Sequence, residues 1–177
     1  MAIANSNTYA HTEITCPPPV FDLEINTLLE TPVGISMDLF QVIDACQSYV
    51  DALVGNDNIA ERMALCGRLF AGLEVMKVAL AIPLPAHLIE HLTTDVSGAA
   101  GGYICPLSMD SETLRSYCAA LTILLLNQQQ TPEQTEHIIE MLFEMIYVLA
   151  EDLKAPRFIR TDCGLTMIDG EDVPLLH

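Results

Sequence analysis

The chain has 177 residues, 51% of them apolar, with 24 acidic side chains against 7 basic ones and a net charge of −17. A chain of that length fits one domain able to bury roughly 70% of its unfolded surface, and its apolar content excludes the composition of a disordered acidic tail. The charge argues against direct binding of DNA or RNA, since a phosphate backbone would be repelled.

Residues 1–19 are polar and end in Cys16-Pro17-Pro18-Pro19, which predicts a flexible N-terminal arm with a short polyproline segment. The arm has neither a basic start nor a continuous apolar run, so a secretory signal is not expected. Residues 20–177 are then the single domain. Strict alternation over 21–26 places Phe21, Leu23 and Ile25 on one side of an extended strand with an acidic outer face.

Ser36 suits a helix N-cap, and Leu39, Val42, Ile43, Cys46, Val50 and Leu53 recur at helical spacing until Gly55. After a turn at 55–58, Ile59, Met63, Cys66, Phe70, Leu73 and Leu80 mark a second helix that stops before Pro83. The short turn makes the pair an antiparallel hairpin. Pro85 opens a shorter helix across 87–92, followed by a small-residue loop at 97–102.

Ser108 or Asp110 starts the next helix. Its segment 119–126 is apolar nearly all round, which predicts a place at the centre of the bundle. Thr131-Pro132-Glu133-Gln134 is a capping box with proline at the first helical position, opening a helix to about Leu153. Beyond Pro156, runs at 157–161 and 165–168 flank Asp162-Cys163-Gly164, the pattern of a β-hairpin with glycine at positive φ. The segment 21–26 is expected as the third strand of that sheet. The fold class is therefore mainly α: a single-domain helical bundle of about five helices with a small terminal β element. No apolar run is long enough to cross a bilayer, so a soluble, cytoplasmic protein without membrane contact is expected.

Chemistry-bearing motifs are few. Cysteines 16, 46, 66, 105, 118 and 163 form no C-x-x-C pair, and Cys46, Cys66 and Cys118 fall inside apolar helical patterns as reduced core residues. The glycines of 98–102 lack the lysine and hydroxyl of a phosphate-binding loop, and no G-x-S-x-G elbow exists. His87-Leu88-Ile89-Glu90-His91 matches the H-x-x-E-H zinc pattern, with two ligands one turn apart and a glutamate to activate water. A small zinc hydrolase would need a third ligand, such as Glu151 or Glu171, brought near by the fold. Solvent-facing histidines outweigh that reading, and no cofactor or metal is expected.

The charge pattern says more. No lysine or arginine precedes Arg62, and none lies between Arg115 and Lys154. On the last helix Glu133, Glu136, Glu140, Glu144 and Glu151 follow steps of three, four, four and seven, forming one stripe, and Asp44 and Asp51 form a shorter one on the first helix. The plain reading of such a stripe is a solvated helix face. The functional one is a row of anionic contacts for a basic protein partner, for example a nucleic-acid-binding protein. Ile138, Ile139, Met141, Leu142, Phe143, Met145, Ile146, Tyr147, Val148 and Leu149 nearly surround the stripe, so this helix either packs on two sides or offers a self-association seam.

Together these features predict a non-catalytic acidic binding or inhibitory protein that engages a cationic partner. In composition alone it is comparable to phage or bacterial antagonists such as anti-CRISPR or immunity proteins. The alternative is a self-associating structural or adaptor subunit, a homodimer in its simplest form.

Overall fold

The computed structural model describes residues 23–95, 106–107, 109–161 and 164–168. The arm expected at 1–19 and the loop expected at 97–102 lie outside them. In chain order the elements are α1 (Leu23–Glu30), α2 (Leu39–Leu53), α3 (Ile59–Leu80), α4 (Ala86–His91), β1 (Thr93–Asp95), α5 (Ser111–Leu126), α6 (Pro132–Lys154), β2 (Phe158–Thr161) and β3 (Gly164–Met167). The mainly helical class with a small terminal sheet is as expected, with six helices among the described residues.

Each long helix starts at a short polar side chain that accepts hydrogen bonds from the unpaired N–H groups of the first turn. Asn58 caps α3, Asp110 caps α5, and Asp38 and Thr131 close full capping boxes on α2 and α6 with Gln41 and Gln134. The first cap is thus Asp38 and not Ser36. Gln41 reciprocates Asp38 at 3.0 Å, whereas the chain at Ser36 is still inside a turn closed by the Met37 N–H on the Gly34 carbonyl.

Short turns make α2 with α3, and α5 with α6, antiparallel hairpins. The pairs stack so that α2 rests on α3 and α6, and α5 rests on α3 and α6. Contacts across the second seams run in opposite senses: Asp44 meets Lys154 while Asp51 meets Tyr147. This is an up-down-up-down four-helix bundle. Val42, Ile43, Tyr49 and Leu53 of α2, Leu65, Leu69 and Met76 of α3, Leu114 of α5 and Leu142 and Ile146 of α6 are fully buried in one core. Each such side chain contributes roughly 1.5–3 kcal/mol. Cys46, Cys66 and Cys118 are buried free thiols within it.

Three expectations need correcting. The described part of 21–26 is helical, not extended. Ile25, Leu28 and Leu29 recur at helical spacing and pack on the core, and Arg68 donates to the Leu29 carbonyl near the end of α1 at 2.5 Å. The third strand is instead β1, which runs parallel to β2 with Thr93 opposite Phe158. β2 and β3 form the expected antiparallel hairpin, with Gly164 at φ +126°. Finally, 119–126 is not central. Every helix of a four-helix square is a corner with two neighbours, so α5 leaves Ile123 44% and Leu124 41% exposed.

Candidate protein-docking face

The outer surface of the α2–α6 seam collects the carboxylates singled out by sequence. Glu133, Glu136, Glu140, Glu144 and Glu151 are all exposed along α6, opposite the side that buries Ile139, Leu142, Ile146, Leu149 and Leu153. Amphipathic periodicity enforces this, since burial of one face at 3.6 residues per turn turns the other to water. Asp44 and Asp51, the shorter stripe on α2, are also exposed and border the α6 stripe. Lys154 donates to Asp44, and the Tyr147 hydroxyl donates to Asp51 at 2.8 Å. The hydrogen bond to Asp51 holds the Tyr147 phenol above its ordinary pKa, fixing it as a proton donor. Asp44 is therefore charge-compensated, whereas the five α6 glutamates have no ion pair among the described residues.

Beside the stripe runs a groove that the charge pattern alone did not reveal. Glu140 and Glu144 border it, and its apolar lining includes Met141, Phe143, Met145 and Val148 of α6 with Leu107 from the segment before α5. Met141 is 51% exposed. Phe143 is set against Tyr147 with ring centroids 4.5 Å apart, and Tyr147 is itself tied to Asp51. The exposed surface of α6 thus carries an aromatic pair, a methionine surface and a carboxylate row. The methionines and Phe143 were visible in the sequence as surplus apolar residues around the stripe. The contribution of Leu107 was not, because nothing local marks a loop residue for that contact.

The zinc pattern is placed differently. His87 and His91 lie on the six-residue α4. His87 Nε2 stands 3.1 Å from the Asp38 carboxylate, and the His91 ring lies against Phe40 at 6.4 Å between centroids. Among the described residues no group of three or more His, Cys, Asp or Glu side chains is placed to hold a metal ion. Glu171 lies outside the described residues.

Thiol chemistry is likewise remote from the face. Burial pushes the thiols of Cys46 and Cys118 up to about 12 and that of Cys66 to about 11, so these three remain protonated and inert near neutral pH. Among the described residues no helix is long and apolar enough to cross a membrane.

Compared with family models, with curated proteins and with solved structures, the chain shows no match. Its fold and its candidate docking face are therefore read from its own residues.

Proposed function

We propose that this protein is a non-catalytic binding or inhibitory protein whose α2–α6 face docks a cationic protein partner. One observation carries the reading: five uncompensated glutamates line an exposed helix face beside an apolar, methionine-containing groove. A merely solvated face has no need of the groove. Charge supplies steering and specificity, and the groove supplies the desolvated contact that holds a complex together. The matching partner surface carries lysine or arginine around an apolar anchor. Nucleic-acid-binding proteins have such surfaces, so the chain would compete with a polyanion for its partner and would not itself bind DNA or RNA.

The test replaces Glu136, Glu140 and Glu144 with lysine. These side chains are exposed, so the fold should be kept while affinity falls, most steeply at low salt where attraction is least screened. Equal partner affinity in parent and variant at low ionic strength would refute the reading.

A second reading, self-association, is favoured by a different surface. The outer side of α5 exposes Tyr117, Ile123 and Leu124, and no acidic residue occurs between Glu112 and Glu133. Two copies of a chain at −17 can meet only where like charge is absent, which moves the candidate seam from α6 to α5. A mass that rises with concentration and persists in high salt would support it.

A further inference from the structure

At the end of the bundle where α3 and α6 begin and α5 stops, a cavity of about 190 Å³ opens between the three helices. Cys66, Leu125 and Ile139 form its buried floor, and Arg62 and Gln128 stand at its mouth. It is separate from the α2–α6 face, and its chemistry is of the opposite sign.

Basic residues are scarce in this chain, and most are engaged. Arg68 donates to a backbone carbonyl, while Arg115, Lys154, Arg157 and Arg160 each pair with a carboxylate. Lys77 projects into solvent. Arg62, half-buried, makes neither a salt bridge nor a side-chain hydrogen bond among the described residues. Glu61 beside it in sequence does not line the cavity. That side chain is buried and accepts a hydrogen bond from Asn56 at 2.9 Å.

The backbone around the cavity favours an anion as well. The first turns of α3 and α6, helices of 22 and 23 residues, contribute Arg62 and Thr135 to its walls; the N–H groups of Ala60, Glu61 and Gln134 are already capped by Asn58 and Thr131, which leaves only the partial positive charge of the helix starts. The carbonyls of Ile123, Leu124 and Leu125 near the end of α5, which would repel an anion, are taken by the N–H groups of Asn127 and Gln128. Gln128 is held at φ 51°, a left-handed conformation uncommon for a residue other than glycine. It closes the helix end and sets its side chain at the cavity.

We propose that this cavity is a binding site for a small monocarboxylate with an aromatic or branched apolar body. The carboxylate pairs with the Arg62 guanidinium, and the body rests on Cys66, Leu125 and Ile139. The volume fits, since a cavity of about 150 Å³ already accommodates benzene. The net charge of −17 opposes the ligand only at long range. At physiological ionic strength that field is screened over about 8 Å, which leaves the contact with Arg62 to decide.

Benzoate is the probe, with benzyl alcohol and acetate as the two halves of its chemistry. Thermal unfolding and the NMR signal of the methyl group of Met63, which also lines the cavity, are followed in the full chain. A ligand of that size is expected to bind with a dissociation constant of about 1 mM. It should raise the melting temperature progressively with concentration and shift the Met63 signal, and both controls should be weaker. Arg62→Gln should weaken benzoate binding about tenfold by removing the charge-assisted contact. Cys66→Leu, which fills the floor, should abolish binding with Arg62 still present. The proposal is overturned if about 20 mM benzoate moves neither signal, if Arg62→Gln binds it like the parent, or if acetate alone matches it.

Discussion

Gly72 of α3 packs against Cys46 of α2 inside the first helical hairpin. A Cβ built on Gly72 would lie 2.8 Å from the Cys46 sulfur, and that sulfur sits in a fully buried core with nowhere to retreat. Gly72→Ala is expected to destabilise the protein by about 1–3 kcal/mol, the usual range for overpacking. Adding Cys46→Ala should recover part of that loss, a coupling that denaturant unfolding of the four-variant cycle measures directly. Asp38 holds a second junction, as cap of α2 and partner of His87. Burial raises its pKa, but the Gln41 N–H and the His87 ring outweigh that effect and leave it below the ordinary 3.8. A depressed folded pKa contributes stability that is present above the unfolded value and lost as pH falls through the folded one. Asp38→Asn keeps a capping oxygen but removes the titration. Its stability, followed from pH 6 downward, should therefore fall less below about pH 4 than that of the parent. Parallel curves would show that Asp38 does not titrate on unfolding.

At the scale of elements, what could be read in advance was what local chemistry specifies. The Thr131 capping box fixed the start of α6 because proline at the first helical position and a reciprocating Gln134 leave no competing start. Thr131→Ala should accordingly lower stability by about 1 kcal/mol, and an unchanged thermal midpoint would show that the cap contributes nothing. The segment at 21–26 misled because six alternating residues fit a strand, while the helical spacing of Ile25, Leu28 and Leu29 emerges only in a longer window. β1 was invisible for another reason. Three residues with no apolar alternation become a strand only because β2 supplies a parallel partner and because the Arg157 and Phe158 N–H groups bond to the Leu92 carbonyl just before it. The apolar run 119–126 carried no information about which bundle corner it would occupy. That depends on α3 and α6, which are distant in sequence.

Over the whole molecule the charge is uneven. The α6 side carries a carboxylate row, the outer face of α5 carries no acid beyond Glu112 in its first turn, and the junction of α3, α5 and α6 holds an arginine without an ion pair among the described residues. The stripe itself was legible because helical periodicity fixes which residues share a face. Its groove and the Arg62 cavity were not, since both are assembled across elements. A protein that needed acidity only for solubility could spread it evenly, so the proposed partner rests on this segregation. Ser replacing the half-exposed Met141 should weaken that partner without the salt dependence of the charge variants, because it alters the groove and leaves the stripe intact.

The most direct measurement immobilises the parent chain and the triple variant Glu136→Lys, Glu140→Lys, Glu144→Lys in parallel, captures proteins from the native host, and titrates the retained species against both at low and high salt. A basic protein bound tightly by the parent is expected, with binding by the variant sharply reduced at low salt and the difference narrowing as salt rises. A partner bound equally by both folded chains at low salt, or an acidic partner indifferent to the reversal, would contradict the assignment of the α2–α6 face.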